Sequence, residues 1–393
     1  MKIAIFSGSI PSSIFVEHLI RAVAKEHRVM LFGVINEKTD YNSTNIKLYR
    51  TPHSHVTNLL FTVFRSLILL LKRPKHFLII FNESRRYPNL YEKWIWFSKF
   101  IPIATYSPDI IHFQWARDLD FYYFFKEKLG YKVILSLRGA HINYTPIIEP
   151  RIADLYRQSF PLIDGFHAVS KAIAVEASKY GLDMNRVSVI RSALQPAIIE
   201  SYQPFKKNET KPFKIISIGR FHWIKGIKYA IDACRILKNE GFDFQFTYVA
   251  SNAIDQETQF QIEQLDLKDE INILTALDQS QLFNLIRGSD VLLLTSLAEG
   301  IANVVLEAMA LGVPVISTDC EGMKEVVIHK TTGWLVPKRD ADAISKAILE
   351  VSQTSEADLE SITVNAYQLV KKEFDEADNL QKFHALYQRV LRE

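Results

Sequence analysis

Short apolar runs alternate with helical patterns twice along the chain, and this alternation constrains the fold more than any other feature. Residues 2–6 (KIAIF) form the first run, a helical pattern covers 11–25, and a second run covers 29–34. The alternation resumes at Phe213, with strand candidates at 214–218, 244–249, 271–274, 291–294 and 313–317. Strands that alternate with helices form parallel sheets with helices on both faces. The sequence therefore predicts two Rossmann-like α/β domains.

A polar stretch with two prolines separates the two series. Residues 202–212 read YQPFKKNETKP, a composition typical of a linker between domains. Charge changes sign at the same place: residues 1–200 carry 26 Lys and Arg against 16 Asp and Glu, and the remainder carries 21 against 28. We therefore predict one domain over 1–204 and a second over 205–375. The amphipathic pattern of 376–393 predicts a final helix that packs back towards the first domain.

Composition argues against several classes of protein. The net charge of the whole chain is only +3, which gives little electrostatic basis for a nucleic-acid partner. Its two cysteines cannot form a disulfide framework, and they favour a reducing compartment. The longest apolar run, 59–71, contains Arg65 and is shorter than the ~20 residues of a membrane-spanning helix. We expect a cytoplasmic protein.

The stretch IGRFHWIKG, from Ile218 to Gly226, follows a predicted strand and leads into a predicted helix. Free backbone N–H groups and the positive end of the helix dipole suit a phosphate at such a place. Arg220 and Lys225 add two cations to it. The alternative is a connector with exposed charges. Because the stretch matches neither the G-x-G-x-x-G nor the Walker pattern, it predicts phosphate binding without either familiar nucleotide fold.

A second stretch, SLAEGIANVVLEAMALGVPV, covers 296–315. Glu299 follows a predicted strand, where α/β sheets place ligand-binding groups. Asn303 is suited to cap the short helix that follows. Glu307 lies inside that helix among apolar residues, and a buried carboxylate is costly without a partner. A ligand hydroxyl would be a suitable partner, and the alternative is an Arg or Lys from another element.

Together these two stretches resemble the C-terminal domain of the retaining GT-B glycosyltransferases of family 4. The family pattern G-R-x-x-x-x-K-G is matched from Gly219 to Gly226, and E-x7-E is matched by Glu299 and Glu307. The resemblance covers most of 165–340 and is looser in the N-terminal half. It implies a GT-B fold, in which two Rossmann-like domains face each other across a cleft.

The resemblance also implies roles for individual residues. Arg220 and Lys225 would hold the donor diphosphate and stabilise the leaving group, and Glu299 would bind a hydroxyl of the donor sugar. Glu307 would bind the ribose of the nucleotide. The remaining donor-binding candidates are Gly219 and the backbone amides of Ala302, Asn303 and Val304, which would meet the sugar or the phosphate. The reaction would retain the anomeric configuration, with no metal and no cofactor beyond the nucleotide-sugar donor.

The N-terminal half departs from the family pattern at its candidate acceptor site. In LSLRGAHIN, Arg138 precedes Gly139 where many relatives have His, and His141 stands where some relatives have Asp. Gly8 belongs to SGSIPSS, which replaces the usual Gly-Gly loop. We take these four residues as candidates for binding an acceptor or a phosphate. For Arg138 a structural ion pair is an equal alternative.

Segment 51–100 is aromatic and basic, with eight Lys and Arg against two Asp and Glu. Lys72, Arg73 and Lys75 directly follow the apolar run, a combination that suits an interfacial helix on anionic lipid. We therefore expect 56–100 to contact the inner face of a membrane, so that the protein is peripheral there. The alternative is a pair of inserted helices packed on the sheet, with solvated cations.

The leading hypothesis is a hexosyltransferase that moves a sugar from a nucleotide-diphosphate-sugar to a hydroxyl acceptor. The expected acceptor is a saccharide or a lipid-linked intermediate of a surface polysaccharide. Two alternatives stay open. A nucleotide-sugar epimerase or hydrolase of the same architecture would consume the donor without an acceptor. A non-catalytic protein would bind the nucleotide sugar without turnover.

Overall fold

Two parallel sheets, each covered by helices, form the framework of the protein. The computed structural model describes residues 1–6, 8–37, 39–208, 211–275 and 277–392. One unit comprises Met1–Ala193 with the C-terminal segment from Ala377, and the other comprises Leu194–Glu376. The predicted pair of Rossmann-like α/β domains and the return of the C-terminal helix to the first of them are confirmed.

The first unit alternates strands and helices, with three long helices inserted after its fourth strand. Its elements in chain order are β1 (Lys2–Phe6), β2 (Ser9–Ile10), α1 (Ile14–Val23), β3 (Arg28–Ile35), β4 (Ile46–Arg50), α2 (His55–Lys72), α3 (Pro74–Ser84), α4 (Leu90–Tyr106), β5 (Ile110–Phe113), α5 (Leu119–Tyr122), α6 (Phe124–Glu127), β6 (Lys132–Leu137), α7 (Ala140–Asn143), α8 (Thr145–Ile148), α9 (Pro150–Ser159), β7 (Gly165–Ala168), α10 (Lys171–Ser178) and β8 (Val187–Val189).

The second unit repeats the alternation, and the last helix of the chain belongs again to the first unit. The elements are α11 (Pro196–Glu200), β9 (Phe213–Gly219), α12 (Ile227–Asn239), β10 (Phe244–Ala250), α13 (Gln256–Gln264), β11 (Ile271–Thr275), α14 (Gln279–Arg287), β12 (Val291–Leu294), α15 (Asn303–Ala310), β13 (Val315–Thr318), β14 (Trp334–Val336), α16 (Ala341–Gln353), α17 (Glu356–Glu373) and α18 (Glu376–Arg392).

Each sheet has a switch point at which the strand order changes direction. The first sheet runs β2-β3-β1-β5-β6-β7-β8, with β4 beside β3. The second runs β11-β10-β9-β12-β13-β14. Ligands of such sheets bind beyond the carboxyl ends of the strands that flank the switch point. The switch points lie between β1 and β5 and between β9 and β12, so the predicted loop after β9 and Glu299 after β12 lie where a ligand is expected.

A buried hydrogen-bond chain ties α18 to the first sheet. The hydroxyl of Tyr387 lies 2.9 Å from Nδ1 of His112, whose Nε2 lies 2.9 Å from Oγ of Ser136. That oxygen lies 2.8 Å from Nδ1 of His167, whose Nε2 lies 2.9 Å from the carbonyl of Ile190. A carbonyl only accepts, so His167 donates through Nε2. When both imidazoles are neutral, every hydrogen bond in this series has one donor and one acceptor, and the donors all point from Tyr387 towards Ile190.

The boundary between the units lies earlier than the predicted change between residues 204 and 205. The structure places it between Ala193 and Leu194. Leu194 and Ile198 are buried in the core of the second unit together with Val305. Phe205, within the polar stretch taken as a linker, is buried in the same unit. The polar composition of 202–212 therefore marked a surface segment of the second unit and not the junction. Glu209 and Thr210 of that stretch, and Glu393 at the chain end, lie outside the described residues.

The neutral state of His167 and His112 predicts a pH-dependent stability. Burial holds the pKa of His167 well below its ordinary 6.5, and the charge of Arg138 lowers it further. Burial likewise lowers the pKa of His112 to about 3. The unfolded chain takes up these protons below about pH 6.5 and the folded chain does not, so their contribution is present above that pH and is lost as the pH falls.

The free-energy cost of His167→Gln should therefore shrink by about 2 kcal/mol between about pH 7 and about pH 5, because only the wild type loses this contribution. Urea unfolding of both proteins at the two pH values measures it. The exposed His55→Gln, measured in the same way, is the matched control for the substitution itself. A cost of His167→Gln that is equal at both pH values would contradict the assignment.

Candidate active site

The loop after β9 is held against the loop after β12 by backbone contacts. Gly226 has φ of 62°, and an added Cβ would lie 2.2 Å from the carbonyl oxygen of Thr295, so glycine is required there. The hydroxyl of Thr295 donates to the carbonyl of Lys225 at 3.0 Å. The N–H of Leu297 donates to the carbonyl of Ile224 at 2.7 Å. These contacts fix Lys225 beside the loop that carries Glu299.

Strand β10 supports the same loop from its other side. Asn252 accepts the N–H of Phe221 through Oδ1 at 2.7 Å and donates to its carbonyl at 3.3 Å. The hydroxyl of Tyr248 donates to the carbonyl of Arg220 at 3.2 Å. Neither of these two supporting residues was singled out from the sequence. Their signal was available, because Tyr248 and Asn252 lie at or just beyond the carboxyl end of the strand that pairs with β9.

Lys225 and Glu299, 74 residues apart in sequence, form an ion pair. The ammonium nitrogen lies 2.5 Å from Oε1 of Glu299, and Ser296 donates its hydroxyl to the same oxygen at 3.0 Å. Oε2 of Glu299 has no hydrogen-bond partner in the described part of the chain. An ammonium has three donors, so Lys225 can bind an anion while it holds Glu299 in place. Two of the three residues predicted for the reacting end of the donor are thus brought together.

Arg220 lies at the end of β9 with its side chain exposed. Within residues 1–6, 8–37, 39–208, 211–275 and 277–392 no carboxylate pairs with it. The pKa of the neighbouring His222 is lowered by desolvation first, and then by the positive charges of Arg220 and Lys225. The loop is therefore electropositive, as an anion-binding site requires.

Glu307 lies on α15 with its side chain partly buried, and burial raises the pKa of its carboxyl. The sequence left open whether an Arg or Lys from another element would neutralise it. Among the described residues no side chain donates a hydrogen bond to this carboxylate and no cation pairs with it. Its hydrogen-bonding capacity is thus left for a ligand.

The N-terminus of α15 differs from the expectation in two respects. Ala302, not Asn303, is the N-cap residue, and the Asn303 side chain is exposed and makes no capping bond. The N–H of Ala302 donates to Sδ of Met323 at 3.3 Å, so this amide is not available to a phosphate or sugar. The N–H groups of Asn303 and Val304 have no partner among the described residues. The expected set of three amides is therefore reduced to two.

Glu321 fixes the loop that carries Glu299. Its Oε2 accepts the N–H of Glu299 at 3.1 Å, and its Oε1 lies 3.2 Å from the ammonium of Lys338. The N–H of Gly322 in turn donates to the carbonyl of Glu299 at 3.3 Å. Glu321 was not singled out from the sequence, since its role depends on a backbone group 22 residues away.

Arg138, in the first unit, is a buried cation without a carboxylate partner. Its side chain is 9% exposed, it donates to Oε1 of Gln114 at 3.1 Å, and its guanidinium carbon lies 4.7 Å from the ring centre of Phe15. Burial lowers its pKa to about 9, so it stays charged at neutral pH. Arg138 forms no ion pair in the described part of the chain. The structural ion pair that the sequence left open is therefore not found among these residues.

His141 is connected to Arg138 through two aromatic rings, and Gly8 lies on a different loop. The ring of His141 is 5.6 Å from that of Trp115, which is 5.9 Å from Phe15, the ring beneath Arg138. Gly139, with φ of 33°, turns the chain between strand β6 and helix α7. Gly8 lies between β1 and β2 and is exposed, and the preceding Ser7 of the predicted loop lies outside the described residues.

Residues 199–368, which lie inside the second unit, match the family described as glycosyl transferases, group 1. The amylovoran biosynthesis glycosyltransferase AmsK of Erwinia amylovora is 28% identical over 274 residues, 68% of this chain and 66% of that protein. The N,N′-diacetylbacillosaminyl-diphospho-undecaprenol alpha-1,3-N-acetylgalactosaminyltransferase of Campylobacter jejuni is 27% identical over 252 residues, 61% of this chain and 64% of that protein. The chain thus spans just under two thirds of the length of these curated relatives.

Solved structures share the architecture at low sequence identity. Sucrose-phosphate synthase from Thermosynechococcus elongatus superimposes with a TM-score of 0.75 at 16% identity, covering 100% of this chain and 99% of its own. HepE of Anabaena in complex with UDP-glucose gives 0.68 at 15% identity, covering 99% of this chain and 100% of its own. The expected GT-B fold is confirmed by these likenesses.

The close approach at Gly226 predicts a specific loss of stability on substitution. Gly226→Ala should lower the free energy of unfolding by about 2 kcal/mol more than Gly241→Ala, because the new Cβ meets a backbone carbonyl. Gly241 is the matched control, with φ of 70° and no atom within 4 Å of an added Cβ. Urea unfolding of both variants measures the difference. Equal costs would show that the two loops are not in contact at this point.

Proposed function

We propose, on the match of residues 199–368 to the group 1 glycosyl transferase family, that the protein transfers a hexose from a nucleotide-diphosphate-sugar to a hydroxyl acceptor. One arrangement carries the proposal. Two cations, Arg220 and Lys225, lie in the loop before α12, and Glu307, with no partner among the described residues, lies on the helix after β12. The two cations suit a negatively charged diphosphate, and the carboxylate of Glu307 suits the hydroxyls of a ribose.

The two cations would act on the leaving group. As the bond between the anomeric carbon and the diphosphate oxygen breaks, negative charge develops on the diphosphate. Arg220 and Lys225 are fixed cations at this place, and the free N–H groups of Asn303 and Val304 add two donors. Stabilisation by these groups supports transfer without a metal and without a cofactor beyond the donor.

Glu299 would orient the donor sugar. Lys225 and Ser296 hold its Oε1, which leaves Oε2 to accept a sugar hydroxyl. The acceptor hydroxyl then attacks the anomeric carbon from the side of the departing diphosphate, and its proton passes to a diphosphate oxygen. This front-face route retains the anomeric configuration and requires no protein nucleophile.

A negatively charged acceptor suits the first unit. Arg138 is charged, buried and without a carboxylate among the described residues, so an acceptor phosphate or carboxylate would balance it. The names of the two relatives above place them in amylovoran biosynthesis and on a diphospho-undecaprenol-linked sugar. By this similarity we propose a lipid-linked intermediate of a surface polysaccharide as acceptor, and a cytoplasmic protein that contacts the membrane through 56–100.

Binding of a nucleoside diphosphate tests the assignment of the cations. A thermal-shift screen with UDP, GDP and ADP identifies the base, because the tightest ligand raises the melting temperature most. Arg220→Gln and Lys225→Gln should each weaken that nucleotide about tenfold or more, since a charge-assisted hydrogen bond contributes about 1.5–3 kcal/mol. The exposed neighbour Lys228→Gln is the matched control and should bind as the wild type does. Wild-type affinity in both loop variants would contradict the site.

Turnover distinguishes the proposal from its alternatives. The matching nucleotide sugars are incubated with and without a lipid-linked saccharide extract, and release of nucleoside diphosphate is followed. Release that depends on the extract supports transfer. Release at the same rate without it would identify a hydrolase, interconversion of the sugar would identify an epimerase, and tight binding without turnover would identify a binding protein.

A further inference from the structure

Helix α2 is polar towards the protein and apolar towards the outside. Its buried residues are Asn58, Thr62, Arg65 and Leu69, three of which are polar. Asn58 donates to Oγ of Ser98 at 3.1 Å, Thr62 donates to Asn58 at 3.4 Å, and Arg65 donates to the carbonyl of Arg50 at 3.1 Å. A helix that faces water on one side shows the opposite pattern.

The outward face of α2 carries large apolar side chains along its whole length. The exposed ones are Val56, Leu59, Leu60, Val63, Phe64, Leu67, Leu70 and Leu71. Among the described residues α2 is the one helix that is long and apolar enough to cross a membrane by length and composition. A continuous apolar surface of this kind marks a protein or membrane contact. The hydrogen bonds of Asn58, Thr62 and Arg65 turn the polar side of α2 towards the protein, so its apolar side faces outward.

An apolar groove opens beside this face, between α2, α3 and α4. Its volume is about 700 Å³. Leu67 and Leu70 of α2 form one wall, Phe77 and Phe81 of α3 form a second, and Trp94 and Phe97 of α4 form a third. Leu67, Leu70 and Phe81 are also exposed, so the groove is continuous with the outward face of α2.

Two cations at the groove select the charge of its occupant. Arg85 and Lys93 both line it, and neither pairs with a carboxylate in the described part of the chain. The adjacent Arg86 does pair, with Glu83, and does not line the groove. The occupant therefore combines a hydrocarbon chain with an anionic head.

We propose that this groove binds one hydrocarbon chain of an anionic phospholipid of the bilayer, with its phosphate between Arg85 and Lys93. The outward face of α2 then lies in the interfacial region, and the basic residues of 51–100 face the anionic headgroups. The inference rests on, and deepens, the membrane contact proposed above. A second copy of the chain is a poorer occupant, because a two-fold contact would bring the same unpaired cations together.

A monomeric short-chain phosphatidylglycerol tests the groove, with Trp94 as the built-in reporter. Below its micelle concentration this lipid should change the tryptophan emission in a saturable way, and Trp94→Phe should remove that change. Phosphatidylcholine with the same chains should bind about tenfold more weakly, since it lacks the net charge that Arg85 and Lys93 recognise. The absence of a saturable change with phosphatidylglycerol would overturn the proposal.

Matched variants separate the groove from the outward face. Leu67→Asn and Leu60→Asn remove similar exposed surface from α2, at 56% and 64% exposure, but only Leu67 lines the groove. Leu67→Asn should weaken the monomeric lipid about tenfold, and Leu60→Asn should leave it within twofold. Arg85→Gln should weaken it and Arg86→Gln should not. Equal effects of the two leucine variants, or of the two arginine variants, would contradict binding of a lipid hydrocarbon chain in the groove.

Vesicle sedimentation distinguishes this inference from the proposal on which it rests. Binding to phosphatidylglycerol vesicles without binding of the monomeric lipid would overturn the groove and leave the membrane contact standing. Binding to neither would overturn both, while the donor-site assignment is tested separately by nucleotide affinity. A concentration-dependent dimer that Leu60→Asn and Leu67→Asn both abolish would overturn the lipid as occupant.

Discussion

The proposed donor site depends on the close approach of Gly226 to the carbonyl oxygen of Thr295. Only a residue without a Cβ allows the loop after β9 to lie against the loop after β12. That contact brings Lys225 to Glu299, and Glu321 holds the backbone of Glu299 from the opposite side. One backbone contact between the loops that follow two neighbouring strands therefore sets the position of the proposed phosphate-binding lysine beside the proposed sugar-binding carboxylate.

Charges without protein partners explain what the site is built to receive. Glu307 in the second unit and Arg138 in the first are both partly or fully buried, and neither forms an ion pair in the described residues. Such groups are costly unless a ligand completes their hydrogen bonds. The second unit is acidic by composition, yet the pKa of His222 is lowered, by desolvation first and then by the charges of Arg220 and Lys225. The proposed donor binding therefore depends on local charges and does not follow from net charge.

The sequence predicted most of the framework because strand and helix periods are local signals. The strands before Gly219 and Glu299 were predicted within a few residues, and the two motifs led to Lys225 and Glu299. Features set by distant contacts were not predictable. The unit boundary moved because Leu194 and Ile198 are buried in the second core, and the amide of Ala302 was lost to Met323, 21 residues away.

Helix α2 shows the limit of reading a helix by its pattern alone. Asn58, Thr62 and Arg65 follow a helical spacing, and a polar stripe of this kind would ordinarily be assigned to solvent. Their bonds to Ser98 and to the carbonyl of Arg50 reverse the orientation, which only packing reveals. Composition favoured an interfacial role, which stays a prediction, and it gave neither the groove nor the distinction between Arg85 and Arg86.

In the proposed donor site, Glu307 receives the ribose hydroxyls of a nucleoside diphosphate. Calorimetric affinities of the wild type and Glu307→Gln for the preferred diphosphate and for its 2′,3′-dideoxy analogue test it as a double cycle. We expect that removing the hydroxyls weakens binding to the wild type by about tenfold or more and changes binding to Glu307→Gln much less. An equal loss in both proteins would show that the hydroxyls do not meet Glu307.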